Sequence, residues 1–167
     1  MKIGAMAIAA FLSAAVLSAG QVPKVGKVET VKDEKAAFAS FATYAWEPGS
    51  KAFRPDVHVM IVDAIDAELA GRGLRKVDNG AASVTVRYDS GVRTDVVLDK
   101  FDDAMRANQP APTKEIGRLI ITMRDPSKHR VWAADTVQPL PADAALRKEM
   151  VRGVVAGMYE TYPIPKK

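Results

Sequence analysis

A chain of 167 residues has room for one domain with a real core, and 48% hydrophobic with 26% charged residues excludes a disordered polymer. Lys and Arg number 24 against 20 Asp and Glu, and they are interspersed; a net charge of +4 without a basic block argues against nucleic acid as a partner. The absence of cysteine excludes disulfides, thiol catalysis, thiolate zinc sites and iron–sulfur clusters.

In chain order, Lys2 supplies a minimal positive start, and Ile3–Leu17 is an unbroken apolar run. That run is shorter than a membrane span needs and small residues follow it, the pattern of a signal peptide. Ser18 and Gly20 are the best-placed small pair for a cut between Gly20 and Gln21, with Leu17 and Ala19 the alternative. The expected division is a signal peptide over 1–20 and a single α+β domain over 21–167, exported to the periplasm or secreted. Leu17-Ser18-Ala19 also resembles the opening of a lipoprotein box, but Gly20 stands where the lipid-bearing cysteine would be. No stable membrane anchor is therefore expected after cleavage.

"VPKVGKVETVKDEK" alternates loosely and predicts a first strand ending near Asp33; "FATYAW" has the aromatic and β-branched character of a second, ended by Pro48-Gly49. The strongest helix signal is "PDVHVMIVDAIDAELAGRG", where Val57, Met60, Ile61, Ala64, Ile65 and Leu69 recur at three- and four-residue steps. Pro55 and Asp56 suit its first turn, Gly71 or Gly73 its stop, and Asp63, Asp66 and Arg72 fall off the apolar stripe. "LRKV" predicts a short strand and "DNGA" a turn. Val84, Val86 and Tyr88 then alternate with Ser83, Thr85 and Arg87 as in a half-buried antiparallel strand, with "DSG" expected to bend or bulge it. Leu98, Phe101 and Met105 fit one or two helical turns before "QPAP" opens a loop. "GRLIITMRD" and "VWAADTV" predict a hairpin about "DPSKHR". Leu146, Met150, Val154 and Met158 predict a closing helix that Pro163 ends. Two amphipathic helices among hairpin-connected strands favour a two-layer α+β fold, a mostly antiparallel sheet with both helices on one face.

Few residues stand in a pattern that carries chemistry. Gly71-Arg72-Gly73 lacks the spacing of a phosphate loop, and Ser90 in "YDSGV" lacks the context of a hydrolase elbow, although His58 or His129 is available to activate it. The two histidines have no partner at metal-ligand spacing, and neither Asp102-Asp103 nor Asp63 with Asp66 has calcium-loop spacing, so no metal and no cofactor is expected. Trp46 and Trp132 are the residues best suited to recognition, with large apolar area and an N–H at the rim, the alternative being that both serve as core or sheet-edge aromatics.

The segments "FASFATYAWEPG", "AIDAELAGRGLRKV", "VTVRYDSGVRTDV", "GRLIITMRDPSKHRVWAA" and the closing "YP" occur together in this order. On these the chain resembles a bacterial envelope family, domain of unknown function 4136. The resemblance implies an exported or lipoprotein-like α/β protein and offers no catalytic residues to carry over. The reading is a non-enzymatic exported module that binds an envelope protein or a small apolar ligand. The alternatives are a hydrolase using Ser90 or a histidine–carboxylate site, and a purely structural envelope component.

Overall fold

A computed structural model describes residues 26–78 and 82–167. The signal-peptide reading, the cut after Gly20 and all of the "DNGA" turn but Asp78 lie outside the described residues. Among the described residues six strands form one open sheet: β1 (Val28–Lys32), β2 (Thr43–Trp46), β3 (Arg75–Lys76), β4 (Val84–Val96), β5 (Thr113–Arg124) and β6 (Arg130–Pro139), in the order β1-β6-β5-β4-β2-β3. Two long helices, α1 (Pro55–Gly71) and α3 (Ala144–Tyr159), cover one face; α2 (Phe101–Arg106) is a short exposed helix between β4 and β5.

The β1·β6, β6·β5 and β5·β4 pairs are antiparallel, whereas β2 runs parallel to both β3 and β4. The parallel corner follows from the chain path, because α1 lies between β2 and β3 and a helical crossover returns the strand in the same direction. The sheet is therefore mixed, mostly antiparallel, within the α+β class expected.

Inward-facing side chains alternate along the central strands as their sequences predict: Val84, Val86 and Tyr88 on β4, and Leu119, Ile121 and Met123 on β5. One expectation fails on β4. "DSG" neither turns nor bulges; the strand runs through it, with Ser90 opposite Leu119 and Gly91 opposite Arg118. Twelve consecutive β4·β5 pairs hold the backbone extended there, and this long-range pairing overrides the local turn preference. Beyond Gly91 the two strands leave the core, and Val92 and Val96 are exposed.

Helix α1 is terminated by geometry as well as by composition. Gly73 sits at φ +85°, its N–H donates to the Ala70 carbonyl (2.9 Å), and the Leu74 N–H donates to the Leu69 carbonyl (3.0 Å). This is the Schellman pattern, closed by contact between the buried Leu69 and Leu74. At the start of α3 the Asp143 carboxylate accepts from the Leu146 N–H at 2.9 Å and caps the helix.

The α1 stripe buries Ile61, Ala64, Ile65 and Leu69, while Met60 is half-buried. Two side chains expected on its polar side are not solvated. Arg72 is only 7% exposed: it pairs with Glu68, donates to the Tyr159 carbonyl at 2.7 Å and lies 5.3 Å from the Tyr159 ring centre. Lys166 reaches back to the same Glu68 at 2.9 Å, so the ends of α1, α3 and the chain meet in one knot. Burial alone would raise the Glu68 carboxyl, but Lys166 and Arg72 together hold it below its ordinary value. Asp66, half-buried, is the second case and is described below.

Candidate functional site

An apolar cavity of about 400 Å³ opens between the first turns of α1 and α3 and the sheet beneath them. Val57 and Ile61 of α1 face Met150, Val151 and Val154 of α3 across it, and Leu119 of β5 lies on the floor. The lining follows from the two helical stripes. Their apolar faces pack into one core with the sheet, and the cavity lies towards the N-terminal ends of both helices. Gly117 shapes the far wall: a Cβ there would come within 2.7 Å of the Leu140 side chain, so glycine lets Leu140 settle onto β5.

The polar groups around the cavity fall into two kinds. At the mouth Arg54 is paired with Asp56 (3.0 Å) and Arg118 with Asp135, and Phe53 is 97% exposed. Deeper in, Gln138 donates to the Thr136 hydroxyl (2.7 Å), which itself donates to the Lys27 carbonyl (3.0 Å). Arg147, 5% exposed, donates to the Pro141 carbonyl (3.0 and 3.2 Å) and the Ala142 carbonyl (2.9 Å). Its remaining nitrogen, Nη1, is buried with no partner.

The residues singled out from the sequence are scattered. Trp132 is fully buried (0% exposed), stacked on Tyr159 with ring centres 5.0 Å apart and edge-on to Tyr162 at 5.3 Å. It is a core residue and offers nothing to a partner at the surface. Trp46 is half-buried on β2, its indole N–H donating to Asp66 at 3.0 Å. The same carboxylate accepts from Tyr44 (2.8 Å) and Lys76 (2.9 Å). Burial first, and the Asp66 carboxylate second, hold the Tyr44 phenol well above its ordinary value. Neither tryptophan lines the cavity.

Ser90 does line it, through its place in the straightened β4, but its hydroxyl has no histidine or carboxylate partner among the described residues. His58 is bonded through Nδ1 to the Tyr88 hydroxyl. His129 lies 3.1 Å from Asp33, forming a histidine–carboxylate pair on the surface. The shallow depression around that pair is lined by Val31, Lys32, Asp33, Arg124, His129 and Arg130, which include no serine or threonine to serve as nucleophile. Among the described residues no three His, Asp or Glu side chains converge as metal ligands, and no helix is long and apolar enough to cross a membrane.

Sequence reasoning placed the apolar lining on the helical stripes but missed Arg147. A signal was present: Arg147 stands three residues before Met150 and seven before Val154, within the buried face of α3.

Fold and site together define a small α+β domain, an open mixed sheet with two helices on one face and an apolar cavity between them. The chain belongs to the family described as Domain of unknown function (DUF4136), which matches residues 28–164. No curated protein matches the sequence. Among solved structures it is similar to the PelC dodecamer from Paraburkholderia phytofirmans, at 15% identity and a TM-score of 0.52, over 80% of this chain and 96% of that one. It is similar also to a PDZ domain protein from Parabacteroides distasonis, at 17% identity and a TM-score of 0.56, over 84% of this chain but only 36% of that one. A weaker likeness, with a TM-score of 0.41 and 11% identity, joins 71% of this chain to 92% of the rare lipoprotein B from Shewanella oneidensis. At these identities the likenesses concern the fold.

Proposed function

We propose that this chain is a non-enzymatic binding module of the bacterial envelope, periplasmic or secreted, that takes a small apolar ligand between α1, α3 and the sheet. The observation that carries the reading is the cavity. Its volume of about 400 Å³ falls within the ~300–1,000 Å³ of ordinary small-molecule sites, and its walls come from two helical stripes and the strands β4, β5 and β6. The nucleophile candidate on its wall, Ser90, stands apart from both histidines, which have partners elsewhere. Export rests on the apolar run Ile3–Leu17 and the small residues after it.

The reading is tested by titrating the secreted form with N-phenyl-1-naphthylamine, a neutral apolar fluorophore. Saturable one-to-one binding is expected. Val57→Trp, which fills the cavity from the half-exposed first turn of α1, should abolish it, and Ser90→Ala should leave it unchanged. Binding lost in Trp46→Ala but intact in Val57→Trp would put the site at β2 and refute the assignment.

A further inference from the structure

We infer that the ligand of this cavity is a single-chain amphiphile with an anionic head, a long-chain carboxylate being the simplest, and that the head pairs with Arg147. The inference rests on the binding reading above and adds the ligand's chemistry. Arg147 is almost wholly buried, yet no acidic side chain among the described residues pairs with it. Its hydrogen bonds go to two main-chain carbonyls, which satisfy donors but carry no countercharge, and Nη1 satisfies nothing.

A guanidinium cannot shed its proton to escape burial, so a cation in this position needs an anion from elsewhere. The arginines at the mouth show the contrast, since Arg54 has Asp56 and Arg118 has Asp135. The cavity thus presents one buried guanidinium without a paired carboxylate beside an apolar wall of Val57, Ile61, Leu119, Met150 and Val154, the other charged residues of its lining, Arg54, Glu115 and Arg118, being exposed. Such a wall matches a molecule with one charged end and an apolar remainder. A volume of about 400 Å³ lies near the lower end of the ~300–1,000 Å³ range of ligand sites, which favours one tail over two.

The test is displacement of bound N-phenyl-1-naphthylamine by dodecanoate, methyl dodecanoate and dodecylamine, each below its micellar concentration. Dodecanoate should displace the probe at about tenfold lower concentration than the methyl ester, as one charge-assisted hydrogen bond implies, and dodecylamine should be the weakest. Arg147→Met, which keeps an unbranched stem and removes the charge, should lose the preference for dodecanoate over its methyl ester. If Arg147→Met fails to fold, the ranking of the three chains on the unmodified protein still decides. Equal displacement by acid and ester, or none by either, overturns the anionic-head inference while leaving the binding module standing. Failure of the probe itself to bind removes the binding reading on which the inference rests.

Discussion

Asp66 accepts hydrogen bonds from Tyr44, Trp46 and Lys76, and so joins α1 to β2 and β3 through one carboxylate. Its position off the apolar stripe suggests a solvated residue, yet two of its donors, a phenol and an indole, are largely withdrawn from water. Removing the acceptor leaves both without a partner, and the loss exceeds that of an ordinary surface change. Asp66→Ala should destabilise the domain by about 1–3 kcal/mol in urea denaturation, with a shift in Trp46 emission. A change within experimental scatter would show that water replaces the carboxylate freely. Arg147 is a second such residue: in "ALRKEM" it looks like any basic residue on a helix, and only its spacing from Met150 and Val154 marks it as part of the face that α3 buries.

At the scale of elements, α1 shows how closely pattern and packing agree when one face of a helix meets a sheet. Ile61, Ile65 and Leu69 occupy that face, and Ile65 and Leu69 are wholly buried. Ile65→Ala should cost about 2–5 kcal/mol by leaving a cavity against the sheet. Asp63, exposed on the opposite side, provides the control, and Asp63→Ala should stay within about 0.5 kcal/mol. Comparable losses from the two would mean that the helix is rotated from the orientation described. The strands were legible for the same reason, since alternation along β4 and β5 reports which face is apolar. The straight passage through Asp89-Ser90-Gly91 was not legible, because the pairing that enforces it comes from residues nearly thirty positions away on β5.

Across the whole molecule, all four tyrosines are shifted in one direction. Burial raises the phenols of Tyr44, Tyr88, Tyr159 and Tyr162 above the ordinary value of 10.0, Tyr159 most deeply enclosed. A phenol whose value is higher folded than unfolded stabilises the fold fully below its unfolded value. That contribution fades as pH rises from about 10 towards the folded value. Spectrophotometric titration should therefore show little phenolate near pH 10 in the folded protein. Absorbance should appear at higher pH together with loss of secondary structure by circular dichroism. Four phenols ionising near pH 10 with the fold intact would contradict the burial described.

What the sequence determined by itself is what short-range pattern can encode. The 3.6-residue stripes of α1 and α3, the two-residue alternation of β4 and β5, and the glycine that stops α1 each specify an element and its apolar face. Tertiary structure alone decided which partner each face meets. It sent Trp132 into a stack with Tyr159 rather than to the surface, turned β2, β3 and β4 parallel around α1, and enclosed Arg147 beside a cavity with no carboxylate among the described residues paired to it. The physical reason is that periodicity fixes a direction for each side chain, whereas burial, pairing and charge compensation depend on neighbours brought close only by folding.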